Sequence, residues 1–187
     1  MPESRIYSIG HSNHPIEKFL HLLEQNRIEV LVDVRSTPAS RFAPQFGHAR
    51  LRTALTGAGR DYVFLGKELG GRPEGAQYYA DEGHVLYGRR AQAPDFVAGI
   101  ERLAGVAAGR RVAMLCAEEN PESCHRRLLV TRALAGRGIA VDHIRGDGRL
   151  QSDAELAPME DAQGGLFDDG AAAWRSKHPV KPSKPRQ

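Results

Sequence analysis

Cys116, Glu118, Cys124, His125 and Arg126 are crowded into one short stretch, Val112-Ala-Met-Leu-Cys116-Ala-Glu118-Glu-Asn-Pro121-Glu-Ser-Cys124-His125-Arg126-Arg127. A thiol, a carboxylate, an imidazole and a guanidinium held together can supply a nucleophile, a proton carrier and an anion holder. The apolar run 112–115 reads as a buried strand. Asn120 is placed as an N-cap and Pro121 as the first residue of a helix, where its missing N–H costs nothing. Leu128, Leu129, Ala133 and Leu134 give that helix an apolar face. The polar residues therefore sit on a strand-to-helix turn, and in open α/β sheets ligands bind at that edge.

The two cysteines allow two chemistries. In one, Cys116 and Cys124 act as a nucleophile or redox pair, with Cys124 in a helical first turn that lowers its pKa. In the other, zinc is held by Cys116, Cys124, His125 and His143. The spacing favours neither. There is no C-x-x-C, and a phosphatase-type arginine six positions after Cys116 is absent because that position is Glu122. A strand-end cysteine also serves as a small buried apolar residue. No metal and no cofactor is expected.

Other loops meet this one if the sheet is parallel. His11, Ser12 and Asn13 follow a strand, and a helix start there favours a phosphate, although a capped helix needs no ligand. Asp33, Arg35 and Ser36 follow another strand. Asp33 and Glu118 are then two carboxylates near arginines, an arrangement suited to cleaving a glycosidic bond. The plainer reading pairs Asp33 with Arg35 or Arg41 as a loop anchor.

Net charge is only +3 on 187 residues, but it is unevenly spread. Residues 34–60 contain no acid, yet they hold Arg35, Arg41, Arg50, Arg52 and Arg60 with Phe42, Phe46 and His48 between them. Guanidinium forks bind phosphate and aromatic rings stack on bases, so DNA is the expected partner. Tyr78 and Tyr79 in the glycine-rich stretch 66–90 extend the same surface. No apolar stretch has membrane-spanning length, and two cysteines without a disulfide framework suit a reducing cytoplasm.

Strands are expected at 5–9, 30–34, 62–65, 112–115 and 139–144. Helices are expected at 16–26, 48–55, 94–107 and after Pro121. This alternation predicts a single α/β domain, 1–150, with a mainly parallel sheet flanked by helices. From 151 to 187 the composition turns to Gly, Ala, Asp, Pro and Lys, and a disordered tail is expected.

Three blocks resemble the bacterial family catalogued as domain of unknown function 488. They are Ser8-Ile-Gly-His-Ser-Asn13, Val32-Asp-Val-Arg-Ser-Thr-Pro-Ala-Ser-Arg41 with Pro44 and Phe46, and Leu115-Cys-Ala-Glu118 with Cys124-His-Arg126. Gly66 to Gly71 fits the family's glycine-rich middle. The resemblance implies a compact α/β fold with a polar site at those blocks, and no particular reaction. In the tail, Gln163-Gly-Gly-Leu-Phe167 resembles the pentapeptide by which bacterial repair and replication proteins hook onto the sliding clamp. Gln163, Leu166 and Phe167 would be its anchors, with Gly164 a departure from the usual apolar residue.

The function expected is a repair-type hydrolase that cleaves a base–sugar bond in DNA. Glu118, Asp33, His11 and Cys116 are its candidate catalytic residues. Ser12, Asn13, Arg35, Ser36, Arg41, Phe42, Phe46, Tyr78, Tyr79, Cys124, His125 and Arg126 are candidates for substrate contact. The alternatives are a non-catalytic clamp-associated DNA adaptor and a cysteine- or metal-dependent enzyme acting on a small molecule.

Overall fold

The computed structural model describes residues 5–159 and 174–182. The chain begins with β1 (Arg5–Gly10), α1 (Ile16–Gln25) and β2 (Val30–Asp33). After a basic loop come α2 (His48–Gly57), β3 (Asp61–Phe64) and two short helices, α3 (Gly66–Leu69) and α4 (Tyr87–Ala91). Then follow α5 (Pro94–Val106), β4 (Val112–Cys116), a π-helical segment Arg126–Thr131 passing into α6 (Arg132–Ala135), and β5 (Ala140–Ile144). β6 (Leu150–Ser152) closes one edge.

The sheet order is β3-β2-β4-β1-β5-β6, parallel throughout except for the antiparallel β6. The single α/β domain with a mainly parallel sheet is thus the observed architecture. Strand residues alternate between two apolar layers. Ile6, Val30, Val32, Val112 and Met114 pack on one face with Phe96, Ile100 and Leu103 of α5 and with Leu129 and Leu134. Tyr7, Ile9, Leu31, Ala113 and Leu115 pack on the other with Phe19, Leu22 and Leu23 of α1 and Leu51 and Leu55 of α2. Strands buried on both faces need continuous apolar runs, as 30–32 and 112–115 supply.

β4 slots between β1 and β2, so the chain order reverses across it, and such a switch point opens a crevice at the strands' carboxyl ends. The register brings Gly10 opposite Cys116 and Asp33 opposite Leu115. Three loops therefore leave the sheet side by side.

Two boundaries differ from expectation. Pro121 opens only a short 3-10 turn, Pro121–Ser123, capped by the Asn120 side chain, which accepts from Glu122 N. Cys124 is then extended (φ −85°, ψ 140°), and the helix proper starts beyond it at Arg126. Cys124 consequently lies outside any helical first turn. The expected tail also contributes structure. Residues 150–155 add β6 and a 3-10 turn, and 174–182 return as a strap. Ser176 exchanges hydrogen bonds with the Val85 backbone, and the Trp174 indole donates to Leu128 O at 2.6 Å. Composition hid this, because one indole and one hydroxyl anchor an otherwise Lys/Pro-rich segment. Gln163, Leu166 and Phe167 lie outside the described residues. Among the described residues no helix is long and apolar enough to cross a membrane.

Candidate active site

A cleft of about 430 Å³ opens at the carboxyl edge of β1, β2 and β4. Its lining includes His11, Arg35, Ser36, Arg72, Tyr87, Cys116, Glu118, Ser123 and His125, with Lys177 and His178 from the strap. All three strand-end loops expected to converge contribute to this lining.

The loop after β4 is fixed by Arg126, the largest fully buried side chain. Its guanidinium donates to Glu118 O, to Glu119 O at 2.6 Å and to Ser8 Oγ at 3.2 Å. Arg126 was expected on the substrate; with no exposed surface it holds the loop instead. Gly10 lets that loop lie directly on β1, since a Cβ there would stand 1.7 Å from Glu118 O.

His125 is half-buried and faces both sulfurs. Its Nδ1 is 3.5 Å from Cys116 Sγ and 3.9 Å from Cys124 Sγ, while Nε2 lies 3.0 Å from Val34 O. A carbonyl can only accept, so the proton is on Nε2 and the Nδ1 side is turned to the thiols. Gly71 backs the ring, with room for no Cβ, which would fall 2.6 Å from His125 Cγ. The hydrogen bond from Cys124 holds the Cys116 thiol well below its usual value, with His125 and Arg126 helping against the cost of burial. Burial pushes Cys124 up, and the charge on Cys116 adds to this. Burial alone would lower His125, but the Cys116 sulfur outweighs it and raises the imidazole. Cys124 is fully buried, so it touches no substrate and meets only the floor of the site.

Asp33 is fully buried and Arg35 is 5% exposed. The Arg35 Nε and backbone N donate to Asp33 Oδ1 at 2.9 and 3.0 Å; Nη2 and the Tyr62 hydroxyl donate to Oδ2 at 2.6 and 2.7 Å. The carboxylate is saturated and does not line the cleft, so the geometry gives it an anchoring position and no open lone pair for a water. Arg35 in turn donates from Nη1 to His11 Nε2 at 3.1 Å, and His11 Nδ1 donates to Ser12 O at 2.6 Å. Burial first, and Arg35 as well, lower the His11 pKa despite the Ser12 carbonyl, which agrees with a neutral ring whose two nitrogens are both committed.

The remaining candidates are scattered. Phe46, expected to stack on a base, is buried under His11 with ring centroids 4.4 Å apart. Tyr79 donates to Pro73 O and Tyr78 lies against Arg90, both outside the cleft wall. His143, weighed as a metal ligand, has Nδ1 on Ser8 Oγ and Nε2 on Asp153, so neither nitrogen is open. Asn13 is exposed and Ser12 half-buried at the β1 exit. Ser36 Oγ accepts from Arg72 N, and Arg41 covers the ring of Phe42, which is 83% exposed. Residues not anticipated are Tyr62, Arg72, Tyr87, Lys177 and His178. Arg72 and Tyr87 stood in the glycine- and tyrosine-rich middle; the others carried no spacing signal.

Glu118 is exposed at the cleft mouth. Crowding by its surroundings and the charge on Cys116 raise its carboxyl pKa. Among the described residues it is the one carboxylate in a lining that also carries Arg35, Arg72 and Lys177.

No curated protein and no solved structure matches the chain. The family match begins after the 8–13 block and spans the basic loop, the glycine-rich middle and the β4 loop with its helix. Matched over residues 15–133, more than half its length, the chain belongs to the family described as Domain of unknown function DUF488.

Proposed function

We propose that the protein is a nucleic-acid-processing hydrolase that cleaves a base–sugar bond of an extruded, modified base. The observation that carries this reading is the charge pattern of the cleft, a lone carboxylate, Glu118, among Arg35, Arg72 and Lys177. Arg72 and Lys177 suit phosphates on either side of the target nucleotide, while Arg35, held by Asp33 and His11, backs the wall behind them. Phe42 supports a base-stacking role. It is exposed two residues from cleft-lining Ser40, whose hydroxyl accepts from Phe42 N and Ala43 N and so fixes the loop. With Asp33 committed to Arg35, Glu118 works alone. It faces the positive charge developing on the sugar as the base–sugar bond breaks and its electron pair leaves on the base nitrogen, which is protonated from solvent. It also takes a proton from the water whose oxygen bonds to the sugar carbon.

The test is incubation with end-labelled duplexes and single strands carrying modified or deaminated bases, followed by alkali. Breaks at one lesion, lost in Glu118→Gln with binding intact, support the reading. Two phosphate contacts, from Arg72 and Lys177, predict a log Kd against log salt slope of roughly 1.5 to 2. Salt-dependent binding without breaks on any substrate favours a DNA-binding adaptor. Gln163, Leu166 and Phe167 support a second partner, the sliding clamp; replacing both Leu166 and Phe167 with Ala should remove clamp binding and leave DNA binding alone.

A cysteine enzyme acting on an anionic small molecule is a second reading, favoured by the contact between Cys116 and a His125 oriented by Val34 O. It requires Cys116→Ser to stop turnover and Glu118→Gln to spare it.

A further inference from the structure

We propose that Cys116, Cys124 and His125 form a zinc site with one coordination position left for the cleft. The three donor atoms lie within 4.8 Å of one another. Zinc binds thiolate at about 2.3 Å and imidazole at about 2.0 Å in a tetrahedron, which puts sulfur and nitrogen roughly 3.5 Å apart and the two sulfurs roughly 3.8 Å apart. The observed Sγ to Nδ1 distances are 3.5 and 3.9 Å. The sulfur–nitrogen pairs need adjustments of only a few tenths of an ångström, and the two sulfurs, within 4.8 Å, need at most about 1 Å to share one face of the tetrahedron.

The surroundings suit an ion as well. A metal-bound histidine usually gives its other N–H to a carbonyl or carboxylate, and His125 gives Nε2–H to Val34 O. Gly71 seats the ring from behind, and Arg126 fixes the loop that joins the two cysteines. A thiol–imidazole pair uses Cys116 and His125, with Cys124 serving only as a hydrogen-bond donor to the first sulfur. Zinc uses all three, and two thiolates balance its charge.

Cys116 and His125 line the cleft and Cys124 does not, so the fourth ligand comes from the cleft side, as a water or a substrate atom. Three protein ligands with an open position are the pattern of catalytic zinc sites, where the bound water is acidified. In this role the site rests on the hydrolase reading, with Glu118 at the same mouth to take the proton. The metal site itself stands without it.

The experiment uses the full chain purified under a phosphine reductant without chelator, loaded with zinc(II) and desalted. Elemental analysis should find about one zinc per chain. Cys124→Ser and His125→Gln should each lower it about tenfold, with circular dichroism recording whether they fold. Intact mass after iodoacetamide gives an answer from the unaltered chain: no label on the zinc-loaded protein, and one label, on the cleft-lining Cys116, after chelation. Cobalt(II) in place of zinc should show tetrahedral thiolate absorption. Folded wild-type protein that retains less than a tenth of an equivalent, or whose Cys116 alkylates equally fast with and without zinc, overturns the site. Glu118→Gln with full zinc separates the two claims, because zinc content does not depend on which substrate is cleaved.

Discussion

Replacing Asp33 with Asn should cost stability, although the side chains are nearly the same shape. Asp33 accepts four hydrogen bonds, two on each oxygen, and is the counter-ion of a guanidinium that is 5% exposed. The amide keeps one acceptor oxygen and presents an NH2 to donors on the other side. Arg35 is then a buried cation facing donors, and removing one partner of a buried pair typically costs about 3–5 kcal/mol. For a domain of this size that is a large share of a total near 5–15 kcal/mol, and it lowers Tm by roughly 6–20 °C. Urea titration followed by circular dichroism reads it directly, since an unchanged m-value certifies that the midpoint shift is a stability change. Glu118→Gln, at an exposed position, should shift the same curve by under about 0.5 kcal/mol. The two carboxylates are thereby separated into an anchor and a reactive group. A loss below about 1 kcal/mol for Asp33→Asn, with m unchanged, would refute the reasoning, because it would mean that Arg35 keeps its charge without this partner.

Gly71→Ala drives a methyl group into the His125 ring, and should reduce zinc content several-fold and lower Tm, as measured by elemental analysis and calorimetry. Burial disfavours the Asp153 charge, but hydrogen bonds from His143 and Arg127 outweigh it and hold the carboxyl below the usual range. Its contribution is present above the unfolded value, about 3.9, and is lost as pH falls through the folded value, so acid titration of stability should be shallower in Asp153→Asn. Trp174 is the single tryptophan, and its indole anchors the strap. Trp174→Ala should cost about 1–2 kcal/mol and raise KM more than it lowers kcat, since Lys177 and His178 belong to the cleft wall.

Periodicity made the sheet legible, because 30–32 and 112–115 are apolar enough to be buried on both faces and the helices between them carry one apolar stripe each. It also placed Cys116, Glu118 and His125 at one edge. Spacing could not reveal that Cys116, Cys124 and His125 converge, since metal-spacing rules describe short turns and here a strand end and an extended residue after a 3-10 turn bring the donors together. The Asp33–Arg35 pair is local and readable, but its closure needs Tyr62 from β3, which nothing in the neighbourhood of Asp33 announces. Arg126 looked like an anion holder because arginine usually is one; only its three backbone and hydroxyl acceptors make it an internal brace.

The insertion of β4 between β1 and β2 has a consequence for biosynthesis. The chain makes β1 and β2 first and must leave a one-strand slot between them, with ladder groups unpaired on both sides until β4 arrives. Exposed edges of this kind template pairing with other chains. The β4 of a second copy satisfies the slot as well as the chain's own, so refolding yield should fall with protein concentration. Variants that weaken the slot's walls, such as Asp33→Asn at the end of β2, should be lost to exchanged or aggregated species before any defect in the cleft can be measured.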